Sequence, residues 1–145
     1  MAVDVTTRTL IARPRSAVWA YAIEPLNAPH WYANIDRAEL VSPGPLELGS
    51  RMRFEARFMG RTLAYTYEVV EWEPERLFTM TTQEGPFPMT TTYRFGDLGE
   101  NRTEMVLRNH GSPRGFGAIA APAMAAAMKR ANRADLARIK ALLEE

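Results

Sequence analysis

The chain has 145 residues, 46% of them hydrophobic and 24% charged, with a formal net charge of +1. That length suits one domain with a substantial core, and a charge so near zero supplies no field that selects nucleic acid or an anionic membrane. Cysteine is absent, which excludes disulfides, thiolate nucleophiles and cysteine metal sites and fits a reducing cytoplasm.

From Val3 to Ile11, Val3, Val5, Thr7, Thr9 and Ile11 alternate with the residues between them. The period of two predicts a strand, broken by Pro14. Pro14 suits the first turn of a helix, where its missing N–H needs no partner, and the helix continues to about Glu24. Pro25 and Pro29 restrict the next stretch to short helical pieces around Leu26 to Tyr32. A strand over Ile35 to Val41 ends at Ser42-Pro43-Gly44-Pro45. Met52, Phe54, Ala56 and Phe58 alternate with Arg51, Arg53, Glu55 and Arg57, which predicts a strand with one apolar face.

After a turn at Met59-Gly60-Arg61, Thr62 to Trp72 is a long β-prone run. Leu63, Tyr65, Tyr67 and Val69 share one of its faces, and Ala64, Thr66, Val70 and Trp72 the other, so both are partly apolar and a bulge would exchange them. Leu77 to Thr82 and Met89 to Phe95 are further strands, separated by Glu84-Gly85-Pro86. Gly96-Asp97-Leu98-Gly99 reads as a hairpin turn rather than a phosphate loop, since strands flank it and no Lys-Ser/Thr follows. Arg102 to Asn109 alternates as the last strand. Short turns between consecutive strands imply antiparallel pairing.

The remainder is helical. Ser112 can cap and Pro113 can open the helix, Gly115 and Gly117 weaken its start, and Pro122 should kink or restart it. Ala121, Ala125, Met128, Asn132, Leu136, Ile139 and Leu143 then form one stripe at spacings of three and four. The predicted architecture is α+β: a strand, two short helices, about six strands and one long C-terminal helix. A curved antiparallel sheet with one apolar face must be covered, and only the last helix is long enough. Its first half offers mainly alanine. Small residues facing a concave sheet leave space, which suggests a cavity unless aromatic side chains fill it. Asn132, in mid-stripe, needs a polar partner there.

Five segments carry a family resemblance. Ala12-Arg13-Pro14-Arg15-Ser16-Ala17-Val18-Trp19 resembles the opening of the first helix in the polyketide cyclase/dehydrase group of the START-like, birch-pollen-allergen-type superfamily (SRPBCC). Pro25, Asn27 and Trp31 resemble its "D-P-x-N…W" segment, with Glu24 in place of the aspartate. Leu46 to Ser50, Tyr67 to Arg76 and Asp135 to Glu144 are similar to three later segments, in order. The resemblance spans the chain and implies a single START-like ligand-binding domain over 1–145. It implies a helix-grip fold of about seven antiparallel strands around the long helix, with a cavity for lipids, polyketides or other apolar molecules.

The predicted cavity wall combines Phe54, Phe58, Tyr65, Tyr67, Met80, Met105, Leu107, Met124 and Met128, with Trp31 and Tyr32 near the mouth and Asn109 and Asn132 as polar members. Plain core is the competing reading for each apolar residue. His30 and His110 lack metal-ligand spacing, so neither a metal nor another cofactor is expected. His110 and Tyr67 are weak acid/base candidates, although strand alternation puts Asn109 and His110 on opposite faces. Arg51, Arg53 and Arg57 are interrupted by Glu55, as on a solvated face rather than a nucleic-acid groove.

Three functions compete: carriage or sensing of a small hydrophobic ligand, a cyclase or dehydrase-like enzyme working by proton transfer, and an interaction protein whose cavity is incidental. The first is favoured. Met1 to Val5 lacks a basic region followed by an apolar run, and no apolar stretch approaches a membrane span. The expectation is therefore a cytoplasmic protein with no stable membrane insertion and no nucleic-acid partner, a monomer or weak homodimer.

Overall fold

The computed structural model describes residues 3–58, 60–83, 88–112 and 120–145, with backbone alone at 58, 120 and 121. Among the described residues there are seven strands: β1 (Val3–Ile11), β2 (Ile35–Leu40), β3 (Arg51–Phe58), β4 (Arg61–Glu73), β5 (Leu77–Thr82), β6 (Met89–Gly99) and β7 (Arg102–Gly111). Helix α1 (Arg15–Ile23), a 3₁₀ turn (Pro25–Asn27) and α2 (Ala28–Trp31) link β1 to β2, and α3 (Ala120–Glu144) ends the chain. The sheet order is β1-β7-β6-β5-β4-β3-β2, antiparallel throughout. This is the α+β arrangement expected from the pattern, and the helix-grip fold that the family resemblance implies. Consecutive strands pair through hairpins, while β1 closes the order by pairing with the distant β7, Thr7 opposite Leu107.

Register shifts in β2 between Ile35 and Arg37 and in β4 between Val69 and Glu71 are of the kind that bends a strand and raises its twist. The β4 shift also answers the question of its two faces. Tyr65 and Val69 are buried and Tyr67 is partly buried on one face, and Glu68 and Val70 are exposed on the other. Past the shift the faces exchange, so that Trp72 packs against the core.

One turn lies elsewhere than its glycines suggested. Strand β6 runs on through Gly96 to Gly99, and the hairpin turns at Glu100 and Asn101, both at positive φ (53° and 58°). Two successive left-handed residues match the strand twist, as in type I′ hairpins. Asp97 and Gly99 instead flank a register shift, where Asp97 Oδ1 accepts from the Gly99 N–H at 2.8 Å. The expected turn at Glu84-Gly85-Pro86 and the helix opening at Pro113 to Gly117 lie outside the described residues. Pro122 falls in the first turn of α3, where no intrahelical donor is lost.

The stripe on α3 divides the interior in two. In its second half Leu136, Ile139 and Leu143 are buried against the sheet, each stabilising by roughly 1.5–3 kcal/mol. Here Trp19 of α1 meets Trp72 and Phe95 edge to face at 5.2 and 5.5 Å, and Phe78 stacks on Tyr93 at 5.5 Å. Arg13 donates to the Leu143 carbonyl at 2.8 Å and Glu144 accepts from the Ala12 N–H at 2.8 Å, tying the helix end to the chain after β1. The first half carries alanine and methionine; Ala125 and Met128 pack there against Val3 and Val5 of β1, while Ala123, Ala127 and Ala131 face open space in front of the remaining strands.

Candidate functional site

Between the alanine half of α3 and the concave sheet lies a cavity of about 590 Å³. That is within the usual span of small-molecule sites, roughly 300–1,000 Å³. Three α3 residues spaced by four, Ala123, Ala127 and Ala131, set its width, and Met124 and Met128 project beside them. The sheet contributes Phe54 and Ala56 from β3, Tyr65 and Tyr67 from β4, Met80 from β5, Met89 and Thr91 from β6, and Asn109 from β7. Strand register explains the row: Phe54 pairs with Tyr65, Met80 with Thr91, and Thr91 with Asn109. Phe54 and Tyr67 meet edge to face at 5.3 Å. Asn34 and Arg57 are the exposed members from the sheet side. The Arg57 guanidinium is held by Asp36 at 3.0 Å.

The polar groups on the wall fall into two sets. Some satisfy one another. The Tyr32 and Tyr93 hydroxyls are 2.6 Å apart, and Thr91 donates to Asn109 Oδ1 at 2.6 Å. Tyr67 is hydrogen-bonded to Thr91. Burial holds the Tyr32, Tyr65 and Tyr67 hydroxyls above the usual phenol range, and in Tyr67 the Thr91 bond opposes that rise. These phenols therefore keep their protons at neutral pH.

Others lack partners. Asn132 is 5% exposed with no partner for Nδ2, and the buried Tyr65 hydroxyl has none either. Buried polar atoms are normally satisfied, so each calls for an explanation. Asp135 is 4% exposed, and one of its oxygens, Oδ1, accepts from the Ala33 N–H at 3.0 Å. Burial pushes its carboxyl up to about 6, against the opposing pull of that hydrogen bond.

The predicted residues are placed as follows. Tyr32, Phe54, Tyr65, Tyr67, Met80, Asn109, Met124, Met128 and Asn132 come together on the cavity wall. Trp31, Met105 and Leu107 do not. They are at most 1% exposed and lie in the packed core, where Trp31 sits 4.0 Å from the Tyr32 ring. Trp31 thus lies in the core rather than at the mouth, because α2 packs against β2 and α3, while Tyr32 is a partly buried member of the wall. The Phe58 side chain lies outside the described residues. His110 is off the wall, on the face of β7 opposite Asn109, and His30 is exposed on α2. Among the described residues no group of three or more His, Cys, Asp or Glu side chains is placed to hold a metal ion. Among those residues no helix is long and apolar enough to cross a membrane.

Asp135 went unselected in the sequence, although a signal was present. It follows Asn132 by three positions, so it shares the inward face of the helix. Met89 and Thr91 had no such signal, because only the pairing register sets them beside Met80 and Asn109.

A family model described as "Polyketide cyclase / dehydrase and lipid transport" matches residues 2–144. No curated protein matches the chain in sequence. Solved structures share the fold at low identity. The Zhui aromatase/cyclase from Streptomyces sp. R1128 superposes with a TM-score of 0.82 at 19% identity, over 99% of this chain and 94% of that one. A protein from Thermus thermophilus gives 0.81 at 21% identity, over 94% of each chain. A START superfamily protein from Mycobacterium smegmatis gives 0.78 at 12% identity, over 96% of this chain and 98% of that one.

Proposed function

The chain belongs to the polyketide cyclase / dehydrase and lipid transport family, and from that premise we propose that it binds and carries a small hydrophobic ligand between its sheet and α3. The observation that carries this reading is the cavity itself: about 590 Å³, open to solvent, with walls mainly of alanine, methionine and aromatic rings. Methionine adapts its shape at low cost and suits ligands of varied outline. The few polar groups are spaced as anchors, the pattern of a binding pocket. Native mass spectrometry of freshly purified protein, repeated after organic extraction, tests the reading. A discrete extra mass removed by extraction supports it and identifies the ligand class. A clean apo mass, together with no binding across a panel of apolar compounds, overturns it.

Asp135 supports a second reading, a cyclase or dehydrase-like enzyme. Such chemistry needs a group that takes a proton beside a carbonyl and a donor that holds the developing enolate oxygen. A carboxyl pushed up to about 6 by burial is poised for the first role near neutral pH, and the free Asn132 amide suits the second. The Zhui protein, which shares the fold, is an aromatase/cyclase. Turnover of a poly-β-ketone substrate that is lost in Asp135→Asn favours the enzyme. Binding without turnover favours the carrier.

A further inference from the structure

We infer that Asn132 and Asp135 together form a subsite for a ligand hydroxyl, so that the cavity selects an alcohol or phenol over a carboxylate. This inference rests on the ligand-binding reading and narrows it. The two residues are three apart on α3, so their side chains leave the same helix face about 5–6 Å apart at Cβ. Both line the cavity, and both are more than nine-tenths buried. The Asn132 amide is a donor without an acceptor. The Asp135 carboxylate is an acceptor, and among the described residues it forms no ion pair within 4.0 Å. One hydroxyl completes both: its oxygen accepts from the Asn132 Nδ2–H while its hydrogen is donated to the carboxylate.

The neighbouring groups leave this role open. Tyr32 and Tyr93 face Asp135, but their hydroxyls bond each other at 2.6 Å. Tyr67, Thr91 and Asn109 are occupied in their own chain. A ligand carboxylate meets the opposite situation. It would sit against the Asp135 charge, and like charges in a site of low dielectric repel strongly. Among the described residues on the wall, the cationic side chain is Arg57, which is exposed and already engaged by Asp36.

The test is a matched series: 2-naphthol, 2-naphthoate and 2-methylnaphthalene, each displacing Nile red from the purified protein at about pH 7.5, where a carboxyl with a value near 6 is ionised. The naphthol is expected to bind at least about tenfold tighter than either analogue, because 2-methylnaphthalene makes neither hydrogen bond and 2-naphthoate meets the Asp135 charge. In Asn132→Leu its advantage over 2-methylnaphthalene shrinks, since only the bond to the Asp135 carboxylate remains, and in Asp135→Asn the penalty on 2-naphthoate shrinks. Naphthoate binding as tightly as naphthol in the wild-type protein overturns the subsite, with no variant required. Equal binding of all three does the same while leaving the cavity as a carrier site. Failure of Nile red itself to bind overturns the ligand-binding reading as well.

Discussion

Replacing Asp135 by asparagine should change how stability depends on pH, with a predictable sign. The native carboxyl titrates at about 6, while an unfolded one titrates near 3.8. The folded state therefore holds its proton more tightly. Its contribution is fully present below the unfolded value and is lost as pH rises through about 6. At about 1.4 kcal/mol per pH unit, the loss between about pH 3.5 and 8 approaches 3 kcal/mol. Asparagine keeps an oxygen that can accept from the Ala33 N–H, so the bond at 3.0 Å survives. The neutral variant carries no such pH term. The stability difference, variant minus wild type, should thus grow by about 3 kcal/mol from acid to mildly alkaline pH. Most of that growth should fall between about pH 4 and 6.5. Urea unfolding of both proteins across this range is the assay, because the difference cancels the remaining carboxylates. A flat difference would mean that Asp135 titrates normally and sits in water. A difference of opposite sign would mean that a cation pairs with it.

Other perturbations address the cavity and its frame. Met124→Trp should fill the cavity and abolish binding of Nile red with little change in melting temperature; severe destabilisation would indicate a packed core without spare volume. Trp19→Ala removes the ring that meets Trp72, Phe78 and Phe95, and should cost about 3–5 kcal/mol in denaturant unfolding. Gly111→Ala places a methyl group against the Pro88 carbonyl oxygen and within 3.1 Å of Met89 Cα. It should destabilise by about 1–3 kcal/mol in thermal melts, and a neutral outcome would show that the β6 edge moves freely. Tyr93→Phe leaves the Tyr32 hydroxyl without its partner and should cost about 1 kcal/mol, read by the same melts.

Element order was legible in the sequence because each element carries its own period. Alternation marks β1, β3 and β7, and the three-and-four spacing marks α3. Proline placement marked the short helices, because a missing N–H and a fixed φ act locally. The β6–β7 hairpin was misplaced for an equally local reason. Glycines attract a turn assignment, but here Glu100 and Asn101 take the left-handed conformations and Gly99 supports the shift beside them.

The site divides along the same line. The sequence by itself determined that α3 is small along its first half and large along its second, and that an amide interrupts its stripe. These are properties of one helix face. Tertiary structure decided the rest. Strand pairing brought Met80, Thr91 and Asn109 into one row, although they lie on three strands. The register shift between Val69 and Glu71 turned Tyr65 and Tyr67 inward and then Trp72 inward as well. Packing of α2 drew Trp31 into the core and set the Ala33 N–H against Asp135. A side chain's face follows from its own backbone period, but what it faces depends on residues distant in the chain. The environment that raises the Asp135 carboxyl exists only once sheet and helix have closed around it.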